Sequence, residues 1–81
     1  MPTVLRDGPY RYYFYSHEPN EPWHVHVDRG SDSAKLWLEP VSLARNFGFS
    51  PQELKKLLEF VEAHKALLME AWHGHFGSRS R

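Results

Sequence analysis

Trp23-His24-Val25-His26-Val27-Asp28 and Ala34-Lys35-Leu36-Trp37-Leu38-Glu39, joined through Arg29 and Gly30-Ser31-Asp32-Ser33, decide the fold. Each flank alternates apolar and polar side chains with a period of two, which predicts two half-buried strands. The glycine- and serine-rich link carries turn chemistry. Val25 and Val27 then face one side of the ribbon, and His24, His26 and Asp28 face the other. Residues directly opposite share a face, so the two apolar sets must coincide. Placing Val27 opposite Leu36 and Val25 opposite Leu38 achieves this. That register sets Asp28 against Lys35, His26 against Trp37 and His24 against Glu39.

Working outward towards the start, Val4-Leu5 is a short apolar run, Asp7-Gly8-Pro9 is a turn, and Tyr10 to Tyr15 is an aromatic run of high β-propensity. A first hairpin through Gly8 is expected. Both faces of the aromatic run are aromatic, so alternation does not choose the buried one. Ser16 to Pro22, with Pro19 and Pro22, reads as a loop.

Towards the end, Pro40 to Phe49 reads as a short edge strand or a turn, with Pro40 suited to an edge. Ser50 as N-cap, Pro51 at the first helical position and Glu53 closing a capping box predict a helix start. Leu54, Leu57, Leu58, Val61, Leu68 and Trp72 continue it as one long helix to about Trp72, before Gly74. Phe60, Leu67 and Ala71 widen its apolar arc beyond the ~100° of a helix packed on one side. That surplus fits a helix cradled by the sheet, or a contact surface for a partner or for a homodimer through the helix.

The expected fold class is α+β: a small antiparallel sheet of four or five strands on one long C-terminal helix. Residues 1–77 form a single domain and 78–81 a disordered tail. Eighty-one residues support one core. There is no cysteine, hence no disulfide framework and no thiol nucleophile, which fits a cytoplasmic setting. Ten basic residues balance ten acidic ones, unlike a dedicated DNA binder. Met1-Pro2-Thr3 does not open like a signal peptide, and the apolar stretches are too short to span a membrane.

The chemistry concentrates on His24 and His26. Two imidazoles projecting from one strand face supply an acid and a base beside one substrate, or two ligands to a divalent metal. His17, Glu18 and Glu21 are the nearby candidates for a third ligand. The plainer alternative is a pair of half-exposed strand histidines, one held by Glu39 and one stacked on Trp37. Arg11 and Lys35 offer cations to phosphate and Trp37 a stacking surface, with Glu39 completing a candidate substrate-binding set for single-stranded RNA. Against this stands the reading of an ordinary solvated sheet face with cross-strand pairs. His64 is expected at the helix surface or boundary, and His73-Gly74-His75 in a frayed end. The sequence contains no phosphate-binding glycine loop, nucleophile elbow or His-Glu-x-x-His helix.

The ordered series Met1-Pro2-Thr3-Val4-Leu5-Arg6, Gly8-Pro9-Tyr10-Arg11, Phe14-Tyr15-Ser16, Glu21-Pro22-Trp23-His24-Val25-His26-Val27, Ala34 to Val41 and Asn46-Phe47-Gly48-Phe49-Ser50 resembles the small bacterial proteins grouped as domain of unknown function 4160. The resemblance spans residues 1 to about 77. It implies one half of a two-gene unit, beside a small partner protein of another uncharacterised family (2442), an organisation similar to toxin–antitoxin pairs. On that basis a toxin-like component acting on RNA through the His24/His26 face is expected. A non-catalytic protein-binding subunit and a small metal-binding protein are the alternatives. Trp23 stands where the family usually has a second proline, and His73 and His75 lie outside its pattern.

Overall fold

The computed structural model describes residues 3–14 and 22–76, with side chains described from 4–14 and 22–74. Five strands form one antiparallel meander, β1 (Thr3–Asp7), β2 (Tyr10–Tyr13), β3 (His24–Arg29), β4 (Asp32–Leu38) and β5 (Val41–Phe47), hydrogen-bonded in chain order. Two helices follow, α1 (Pro51–Ala63) and α2 (Lys65–Phe76). The expected loop at 16–22 and tail at 78–81 lie outside the described residues, apart from Pro22.

One face of the sheet carries Tyr12, Val25, Val27, Ala34, Leu36 and Leu38, all buried with Phe14 against Leu57 and Val61 of α1 and Leu68 and Trp72 of α2. The aromatic run therefore turns Tyr12 and Phe14 to the core. Tyr12 stacks on Phe60, with ring centroids 5.0 Å apart, and Phe14 meets Trp72 edge-on at 5.2 Å. Phe60 and Ala71 thus belong to the core's margin, and much of the wide apolar arc is cradled. Leu67 remains 47% exposed. The Tyr12 hydroxyl is buried with no hydrogen-bond partner among the described residues. Burial, with Asp7 and Tyr10 nearby, pushes its phenol well above the ordinary tyrosine range.

The β3–β4 hairpin keeps the predicted faces but shifts its register by two residues. Val25 faces Leu36, Val27 faces Ala34, His24 faces Trp37, His26 faces Lys35 and Asp28 faces Ser33. The turn shrinks to Gly30-Ser31, closed by the Arg29↔Asp32 pair, because Gly30 takes a positive φ of 61° that suits a two-residue hairpin. A two-residue slip leaves every side chain on its own face, so packing alone did not separate the two registers. Glu39 accordingly does not face His24; it bridges to Lys65 at the start of α2.

Both edge strands are irregular. The β4–β5 register shifts between Lys35↔Arg45 and Leu36↔Leu43, leaving Ala44 as an extra residue, and β1 shifts likewise around Val4. Bulges of this kind twist an exposed edge away from further strand pairing.

The capping box at the start of α1 is as predicted: Glu53 N donates to Ser50 Oγ (3.2 Å) and Ser50 N donates to Glu53 Oε1 (3.3 Å). The single long helix is not. His64 interrupts it with φ −111° and ψ 19°, while its Nδ1–H donates to the Phe60 carbonyl at 2.9 Å. The same carbonyl still accepts the ladder bond from His64 N at 3.0 Å, so it takes two donors at the point where the helix breaks. The second segment then runs through Gly74 to Phe76 rather than stopping at Trp72.

Candidate functional site

The face of the sheet away from α1 is ordered in cross-strand rows. One row runs Arg6, Arg11, Asp28, Ser33 and Phe47; the next runs Tyr13, His26, Lys35 and Arg45; a third runs His24, Trp37 and Ser42. His24 and His26 share this face, as their spacing predicts, with ring centroids 5.1 Å apart and planes near perpendicular.

The expectation that both imidazoles stand open to solvent is overturned. His24 is fully buried and His26 is 9% exposed. Trp72 from α2 lies 5.0 Å from the His24 ring and Trp37 lies 5.8 Å from it, while Tyr13 stacks on His26 at 5.4 Å. The plainer alternative also needs revision, since His26 stacks on Tyr13 rather than on Trp37. The period of two specifies which face a side chain takes and says nothing of what covers that face.

His24 Nδ1 lies 2.8 Å from the Pro22 carbonyl oxygen. A carbonyl only accepts, so a ring proton sits on Nδ1. That is the orienting contact a ligand or base histidine uses. Among the described residues, however, no three His, Cys, Asp or Glu side chains come together to hold a metal ion. His17, Glu18 and Glu21, the candidate third ligands, lie outside the described residues.

Three of the four predicted substrate-binding residues, Arg11, Lys35 and Trp37, share the outer face. The Arg11 guanidinium stands 4.5 Å over the Tyr13 ring and 3.5 Å from Asp28, which also accepts from Tyr13 Oη at 3.0 Å. The Lys35 ammonium stands 4.9 Å over Trp37. Glu39 is separate, held by Lys65. The register also places Arg6 beside Arg11 and Arg45 beside Lys35; Arg45 is the basic residue that sequence reasoning missed. Once the pairing is fixed the signal is plain, because each basic residue faces another across the ladder.

Elsewhere, Arg29 bridges Asp32 (2.9 Å) and Glu53, and Tyr10 Oη donates to Glu53 Oε2 (3.3 Å), tying the β3–β4 turn to the start of α1. The Asp32 bond, with Glu53 close by, raises the Arg29 pKa further. His64 stacks on Phe60 at 4.1 Å, and His73 meets Trp23 edge-on at 5.5 Å. An open groove of about 690 Å³ runs between β5 and α1, lined by Val41, Leu43, Leu54 and Leu58 with Lys55, Glu59 and Glu62. No helix of the described residues is long and apolar enough to cross a membrane.

The model of one family, Domain of unknown function (DUF4160), matches residues 10–73. No curated protein and no solved structure matches the chain.

Proposed function

The chain belongs to that family, and from this premise we propose that it is the toxin-like component of a bacterial two-gene module, meeting RNA in the cytoplasm across the outer face of its sheet. The observation that carries this reading is the pairing of Arg6 with Arg11 and of Lys35 with Arg45 across adjacent strands of one face. Four cations grouped in this way on one face offer charge to a phosphate backbone laid across them. Asp28 is the one acidic residue among the described strand residues of this face. A formal net charge of zero therefore conceals a locally cationic surface.

Trp37, partly exposed, and Phe47, 59% exposed, supply aromatic surface beside these cations for unpaired bases. His24 and His26 lie beneath this surface, and their burial favours a role in holding it rather than acid–base catalysis upon a polymer. The small neighbouring-gene protein, in this reading, covers the same cations with acidic side chains.

The test is binding of a fluorescent single-stranded RNA, followed by anisotropy, for the wild type and for Lys35→Glu/Arg45→Glu. Charge reversal should weaken binding by tenfold or more, and expression of the variant should no longer slow growth. Equal RNA affinity in both proteins removes the reading.

A further inference from the structure

The cations of the outer face fall into two pairs, with β3 between them. Arg6 and Arg11 face each other on β1 and β2, and Lys35 and Arg45 on β4 and β5. At these levels β3 contributes no cation. Asp28 lies level with the first pair and His26, 9% exposed, with the second.

The pairs are also offset along the strands. Tyr13 shares a row with His26 and Lys35, so the two cation rows lie two residues, ~7 Å, apart. The side chains keep that offset, since Arg11 leans onto Tyr13 and Lys35 onto Trp37, both in the same direction. With strands ~4.8 Å apart, the four positions run obliquely across the whole sheet for ~20 Å. The middle ~12 Å, between Arg11 and Lys35, holds the Asp28 carboxylate and no cation.

The two ends are chemically unlike. Beside the second pair stand two rings open to a base: Trp37, two residues beyond Lys35, and Phe47, two residues beyond Arg45 on the other side. Beside the first pair the ring is Tyr13, 3% exposed beneath the Arg11 guanidinium. The β4–β5 end therefore offers charge and stacking, and the β1–β2 end charge alone.

Resting on the RNA reading above, we infer that this face is a two-point site for a single strand. Lys35, Arg45, Trp37 and Phe47 form a stacking anchor, and Arg6 and Arg11 a separate phosphate clamp. Strands of about five nucleotides or more engage both at once, and shorter ones only the anchor.

Oligouridylates of increasing length, competed against a fluorescent RNA, test this. Wild-type affinity should climb by about tenfold or more from trinucleotide to hexanucleotide and then level off, because the clamp adds an intramolecular contact. Arg6 and Arg45 are both exposed, so Arg6→Glu and Arg45→Glu should leave the circular dichroism spectrum unchanged. Arg6→Glu should bring the hexanucleotide down towards the trinucleotide's affinity while changing trinucleotide binding by less than about twofold. Arg45→Glu should weaken strands of every length. An Arg6→Glu loss that is equal at all lengths or absent at all lengths overturns the two-point site and leaves RNA binding itself standing. So does a trinucleotide that fails to bind at millimolar concentration while longer strands bind. A wild type that binds no strand of any length overturns the RNA reading and this inference together.

Discussion

Trp72 closes over His24, with ring centroids 5.0 Å apart and planes at 66°. The contact spans from the second helix to the first residue of β3, and the same indole meets Phe14. It converts a histidine that alternation assigns to the outer face into a fully buried one. Replacing Trp72 by alanine should cost about 3–5 kcal/mol of stability, measured by urea unfolding. It should also raise the rate at which diethyl pyrocarbonate modifies His24, read by mass spectrometry. Equal modification in both proteins would show that Trp72 is not the shield.

Gly48 has φ +109°, and a Cβ there would fall 2.2 Å from Asp32 Oδ1. The carboxylate in question is held in place by Arg29. Gly48→Ala should therefore destabilise by roughly 1–3 kcal/mol, part backbone strain and part clash. In the Asp32→Ala background the clash component disappears, so the double variant should lose less than the sum of the two single changes. Strict additivity in thermal or urea unfolding would contradict this.

Burial of the Tyr12 hydroxyl raises its pKa in the folded state above the ordinary value of about 10. The neutral phenol is the form the fold holds, so its contribution is complete below pH ~10 and is lost as pH climbs above it, where the unfolded chain ionises first. Tyr12→Phe should unfold with similar or slightly greater stability at neutral pH, since a buried hydroxyl with no partner among the described residues is removed. It should also show a shallower alkaline decline than the wild type. Parallel alkaline profiles would be the contrary result.

If Arg6, Arg11, Lys35 and Arg45 all meet phosphates, log affinity for single-stranded RNA should fall with log salt with a slope of about −3. Reversing Lys35 and Arg45 should remove roughly half of it. A slope near zero in the wild type would mean that the cations are not the binding groups.

Much of this architecture is legible in the residues. Alternation in Trp23–Asp28 and Ala34–Glu39 gives both strands and their faces, and Ser50, Pro51 and Glu53 give the helix start. The register needed one further fact, the two-residue turn at Gly30-Ser31, because a slip of two preserves every face. The helix break was hidden for a different reason. His64 is an unremarkable helix residue in the sequence, and neither its off-helix backbone nor its ring contacts with the Phe60 carbonyl and ring have a local signal there. Gly74, which looked like a terminator, is tolerated inside α2. The burial of the two imidazoles was illegible because no local pattern encodes contact with an indole nearly fifty positions away.

Ala44 is one residue more than the ladder can pair, and its insertion reverses the strand's parity. Upstream of it Val41 and Leu43 look toward the helices; downstream Arg45 and Phe47 look the other way, while Asn46 turns in to exchange hydrogen bonds with Phe49 at 3.0 Å. A regular strand of the same sequence would send the arginine and phenylalanine under α1 and strip Phe49 of those bonds. Seven residues thereby serve two unlike surfaces, an oily trough and a basic plateau, and whatever seats itself in one is mechanically a neighbour of the other.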